Sequence, residues 1–163
     1  MRAYQVFSRM TDPEASRFLA VLKEKAPALH VQALGAAAAA MRARPQYLLK
    51  QSHDKRAEAV RRALARVATS DVAEELLAVY FLDGRKELLI EWLDAIGLEH
   101  EEGALKAESP SCPADPALAK AVELYRTAAS AAGEPGDAWE RELLLRAFAA
   151  QTAIDWPALE QLL

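Results

Sequence analysis

The stretch LDAIGLEHEEGALK, residues 93–106, sets His100 among Glu99, Glu101 and Glu102. An imidazole beside carboxylates is the raw material of a metal site or an acid–base pair. In an extended segment, however, neighbouring side chains point to opposite faces, so only Glu102 shares a side with His100. The simpler expectation is a solvated turn that follows a helix.

The other histidines, His30 and His53, lie far apart in sequence, with no Asp or Glu three or four residues away. Neither HExxH nor ExxH is present, so the helical spacings of zinc hydrolases and di-iron bundles are missing. Cys112 sits in PSCPA with no cationic neighbour to lower its pKa. There is no GxSxG for a nucleophile elbow, and the six glycines form no phosphate-cradling loop. The sequence therefore names no catalytic residue, no cofactor and no metal ligand. A helical enzyme or small-molecule binder would have to assemble its site from scattered residues, His30 and His53 among them.

Charge carries more information. Residues 1–68 hold 13 Lys/Arg against 5 Asp/Glu, whereas residues 69–163 hold 7 against 19. The formal net charge of −4 conceals this polarity. Between Met41 and Ala68, eight cations (Arg42, Arg44, Lys50, Lys55, Arg56, Arg61, Arg62 and Arg66) face only Asp54 and Glu58. On a helix Lys55, Arg62 and Arg66 share one stripe opposite Leu64. With Arg42 and Arg44 they form a candidate surface for an anionic partner, including nucleic acid. The stripe lacks interleaved aromatics and no helix-turn-helix pattern accompanies it, so a solvated helix face is the competing reading. Trp139 and Trp156, each near a helix start, are candidate contacts for a protein partner, with core packing as their alternative.

Helices must position all of these residues. In TDPEASRFLAVLKEKA, Thr11 is expected to cap a helix with Glu14 at the capping-box position, and Ala15, Phe18, Leu19 and Leu22 fall on one face. The next helix, from Pro27, has a narrow stripe of Leu34, Ala37, Ala38 and Met41. After a short turn or helix at Pro45, SHDKRAEAVRRALARVA is amphipathic, with Ala57, Val60, Leu64 and Val67 inward. A helix follows from Ser70 to near Gly84, and another from Arg85 is closed by Gly97, with Leu89, Trp92, Leu93 and Ile96 inward. Alternation around Glu102-Gly103 predicts a hairpin. Three prolines in ESPSCPADP predict a linker, and two further helices separated by GEPGD lead to a short last one, DWPALEQLL. The aromatics Phe18, Tyr80, Phe81, Trp92, Tyr125 and Phe148 all fall on apolar stripes. Tyr4 and Phe7, in the N-terminal segment, either pack on the body or reach a second copy.

EELLAVYF (74–81) resembles RELLLRAF (141–148), AEAV (57–60) resembles AKAV (119–122), and Trp92 has a counterpart in Trp156. These matches suggest two related three-helix units, over 54–97 and 115–163.

The expected fold is thus all-α: a multi-helix antiparallel bundle, read as two related three-helix units, with a short β-hairpin near 98–107. Its expected organisation is an N-terminal helical unit over 1–107, a proline-rich linker over 108–116 and a C-terminal helical unit over 117–163, packed together as one domain or two. The longest apolar run, LGAAAAAM, falls far short of the roughly 20 residues that span a bilayer, and the start has no signal-peptide core. No membrane is expected, and one cysteine points to a reducing compartment, the cytoplasm. The leading functional expectation is a non-catalytic module that binds another protein through a groove between its helical units. Nucleic-acid association through residues 42–66 is the alternative, and a homo-oligomer is left open.

Overall fold

The structure, a computed structural model, describes residues 1–132 and 137–163, with side chains described for 1–128 and 138–163. Of the break read at GEPGD, residues 133–136 lie outside the described residues and Asp137 begins a helix. Among the described residues the fold is all-α, with ten α-helices and one two-stranded sheet. No helix among them is long and apolar enough to cross a membrane. The chain forms two compact units, Arg2–Gly84 and Arg85–Leu163, the second also taking in Met1.

The first unit comprises α1 (Ala3–Arg9), α2 (Asp12–Lys25), α3 (Pro27–Ala40), α4 (Pro45–Leu49), α5 (His53–Leu64) and α6 (Ser70–Val79). A 3₁₀ turn, Val67–Thr69, precedes α6 and a π-helical turn, Tyr80–Gly84, follows it. Helix α2 begins with the expected capping box. The Thr11 hydroxyl accepts from the Glu14 N–H at 3.4 Å, and the Thr11 N–H donates to the Glu14 carboxylate at 2.6 Å. Such a cap stabilises a helix start by about 1 kcal/mol. One face of α2 then buries Ala15, Phe18, Leu19 and Leu22. Phe18 is the hub of the interior, with Phe7 edge-on at 5.4 Å and Tyr80 stacked at 4.6 Å. The N-terminal segment is therefore part of this core through Phe7.

Helix α5 packs on both α2 and α3. Its inward residues are Ala57, Val60, Ala63 and Leu64. Val67, expected in the same stripe, is 71% exposed, because the chain leaves the helix at Ala65 and the helical phase ends with it. Met41 fails for the same reason: α3 ends at Ala40, and Met41 is 48% exposed.

The second unit comprises α7 (Lys86–Ala95), strands β1 (His100–Glu101) and β2 (Ala104–Leu105), α8 (Asp115–Ala132), α9 (Asp137–Ala149) and α10 (Pro157–Gln161). A second aromatic core holds it together. Trp92 meets Tyr125 at 5.3 Å and Phe148 at 5.9 Å, and Phe148 meets Trp156 at 5.5 Å. The hairpin expected near 98–107 is present, antiparallel, with His100 opposite Leu105 and Glu101 opposite Ala104. Its turn residues Glu102 (φ 51°) and Gly103 (φ 92°) both have positive φ, as a type I′ turn requires.

Composition and packing diverge in the proline-rich segment. Residues 108–116 run within the second unit, and the Trp156 indole N–H donates to the Pro110 carbonyl at 3.0 Å. The segment is non-helical up to Ala114, Pro116 falls in the first turn of α8, and Pro110 is buried; the division between units comes instead at Gly84–Arg85. The same division separates α5 and α6 from α7, so residues 54–97 do not form one three-helix unit. Trp92 and Trp156, aligned as counterparts in the repeat, share a single core.

Arg141 also belongs to this interior. Its side chain is buried, donates to the Glu91 carboxylate at 2.7 Å and lies 4.6 Å above the Tyr125 ring. The Tyr125 hydroxyl in turn donates to the Leu88 carbonyl at 2.9 Å.

Candidate anionic-partner groove

Three of the five cations singled out in the sequence converge. A groove of about 390 Å³ in the first unit runs along α5 and is walled by the end of α3 and by α4. Lys55, Arg62 and Arg66 line it together with Glu58; Lys55 and Arg62 share a stripe of α5, whereas Arg66 follows the helix end in extended backbone. The floor is apolar and low, made by Leu48, Ala59 and Ala63. Ala59 and Ala63 are one turn apart on α5, which brings the helix backbone close to the groove.

Met41 and Tyr47, 48% and 53% exposed, also line the groove, so an aromatic ring does accompany the basic stripe. Tyr47 lies eight residues before Lys55, outside any one helical stripe, and only the turn through α4 brings it alongside. The signal in the sequence was the short apolar pair after Pro45, of which Leu48 is buried and Leu49 is 57% exposed.

The cations are differently engaged. Arg62 pairs with Glu58 one turn back at 2.5 Å, an exposed contact of little energetic weight. Arg66 reaches the Ala40 carbonyl at 3.4 Å, near the C-terminal end of α3, where a cation is favoured. Lys55 makes no ion pair among the described residues. Arg42 and Arg44 are exposed on the connection from α3 to α4, whose flanking residues Met41 and Tyr47 line the groove. Neither makes an ion pair among the described residues. Arg42 is also held at φ 53°, with its N–H on the Ala39 carbonyl at 3.1 Å and the Ala43 N–H on the Ala38 carbonyl at 2.9 Å. That is the helix-ending position glycine prefers.

The protein-partner candidates separate. Trp156 is 3% exposed and its indole is taken up inside its own unit, by Phe148 and the Pro110 carbonyl. Trp139 is half-buried in the first turn of α9.

Protein-family profiles, curated proteins and solved structures all return no match to this chain. The chemistry of the site is accordingly read from its own residues.

The titratable groups outside the groove are committed locally. His100 Nε2 lies 3.0 Å from the Asp94 carboxylate, and the Gly103 N–H donates to His100 Nδ1 at 3.2 Å. Glu102 turns away to Lys86, whose ammonium holds its carboxyl below the usual range. No group of three or more potential ligands among the described residues is placed to hold a metal ion. His53 Nε2 is 2.7 Å from the Ser16 carbonyl. His30 is buried and its pKa is lowered, first by loss of solvent and then by the charges of Arg56, Lys23 and His53. Burial, followed by the nearby Asp115 carboxylate, pushes the Cys112 thiol up. A wider hollow of about 560 Å³ in the second unit, beside the hairpin, has prolines and Leu105 on its walls but a single cation, Lys106. It lacks the convergent charge of the α5 groove.

Proposed function

We propose that this protein is a non-catalytic helical interaction module that holds an anionic protein partner in the groove along α5. The supporting observation is the groove itself, lined by Lys55, Arg62 and Arg66, by the exposed Met41 and Tyr47, and by the small Ala59 and Ala63. Exposed apolar side chains rimmed by charge are the usual composition of a recognition surface. Cytoplasmic localisation is part of this reading and rests on the lone Cys112.

Nucleic acid is the second reading, favoured by a single observation, the ring of Tyr47 beside the three cations. Retention from nuclease-treated and untreated lysate separates the two. A protein retained in both, at moderate salt, and lost with Arg62→Glu/Arg66→Glu supports the interaction module. Retention that disappears with nuclease favours nucleic acid. Protein capture indifferent to the charge reversal sinks the groove as the working surface.

A further inference from the structure

We infer that the occupant of the α5 groove is an acidic amphipathic helix of about three turns. This rests on the groove being the working surface and adds the chemistry of what fills it. From Lys55 to Leu64 the groove side of α5 rises about 14 Å at 1.5 Å per residue, and Arg66 carries the charge beyond the helix end. A helix of about eleven residues covers that length.

The floor fits a helix better than a polynucleotide. Ala59 and Ala63 leave α5 with almost no side chain along the groove, so a second helix can approach to the short end of the 8–10 Å packing range, roughly 8 Å. The buried Leu48 and the exposed Met41 and Tyr47 then meet two apolar side chains of the incomer, one turn apart. Carboxylates on one flank of that helix reach Lys55, Arg62 and Arg66. Those on the other reach Arg42 and Arg44, which have no ionic partner among the described residues. Three cations against the single Glu58 call for an acidic occupant, and the exposed Met41 and Tyr47 call for an apolar stripe on it. Single-stranded nucleic acid would use the cations but would find one aromatic where bases stack in series, and an alanine floor without donors for base edges.

The probe is a fluorescein-labelled helical peptide of about 14 residues, long enough for three turns, with two leucines one turn apart and glutamates on both flanks. It is titrated into the full ¹⁵N-labelled chain, with anisotropy and amide shifts read together. Oligo(dT) of similar length and a leucine-to-serine peptide run in parallel. We expect saturable binding with shifts at Met41, Tyr47, Ala59 and Ala63. Arg62→Glu/Arg66→Glu should weaken it by about tenfold or more, and Tyr47→Ala by about fivefold. Both variants alter exposed side chains, and circular dichroism checks that they fold. Saturation by oligo(dT) at these residues, without peptide binding, overturns the acidic helix but leaves the groove as the working surface. Self-association of the chain through these same residues, with peptide inert, overturns it in favour of a second copy. If neither probe nor concentration moves those amides, the inference and the groove reading fail together.

Discussion

Arg42 and Gly97 end two helices of this chain in the same way. Each follows the last helical turn with positive φ, 53° and 70°, and each donates its N–H three residues back at 3.1 Å. The next residue closes the outer bond in both, Ala43 to Ala38 at 2.9 Å and Leu98 to Leu93 at 3.0 Å. Glycine adopts this conformation freely, whereas a side chain there costs about 1 kcal/mol. The arginine sits beside the groove, and the glycine does not.

Arg42→Gly should therefore separate stability from binding. We expect unfolding in urea to shift upward by about 0.5–1 kcal/mol while affinity for an acidic peptide falls by about two- to fivefold. Equal affinity in the variant would show that the strain at Arg42 serves nothing in the groove.

Two other glycines should respond oppositely to alanine. A Cβ built at Gly35, in the middle of α3, meets nothing within 4 Å, so Gly35→Ala should stabilise by about 0.5–1 kcal/mol. At Gly84 the same atom lies 3.1 Å from Val21 Cγ1, and Gly84→Ala should destabilise by about 1 kcal/mol as α2 gives way. Thermal unfolding of the two variants tests the contrast directly.

His30 makes stability depend on pH in a defined direction. Its pKa is lowered from 6.5 in the folded state, first by burial and then by Arg56, Lys23 and His53. The unfolded chain consequently binds the proton more readily. The contribution is complete above pH 6.5 and is lost as pH falls through the folded pKa. The loss between pH 7.5 and 5.5 should be smaller in His30→Gln than in the wild type. Parallel urea midpoints at the two pH values would contradict it.

The Arg141–Glu91 pair should be asymmetric. The arginine side chain is 6% exposed and the glutamate 46%. Removing the glutamate strands a buried charge, and Glu91→Ala should cost about 2–4 kcal/mol. Arg141→Met leaves only a solvent-accessible carboxylate and keeps an apolar stem over Tyr125, so about 1 kcal/mol or less is expected. Denaturation of both variants decides it.

Much of the architecture was legible because helix faces repeat. The aromatics assigned to the interior, Phe18, Tyr80, Phe81, Trp92, Tyr125 and Phe148, are all buried. So was the hairpin, since Glu102-Gly103 supplies two positive φ angles. Periodicity overran at Met41 and Val67, beyond the ends of their helices, and could not see Trp156 fold back on Pro110. The common stripe of Lys55 and Arg62 was readable along one helix, while Arg66 reaches the same groove from beyond the helix end. Tyr47 was not, because its place beside them depends on how α4 turns.

The hydrogen bonds of His100 fix more than its position. A backbone N–H can only donate, so Nδ1 must present its lone pair to Gly103, and the ring proton of the neutral form resides on Nε2, facing Asp94. The imidazole is thereby a built-in reporter of the hairpin. Its ¹⁵N resonances should show the Nε2–H tautomer while the turn is closed and relax toward a solvent-averaged mixture once the Gly103 amide lets go.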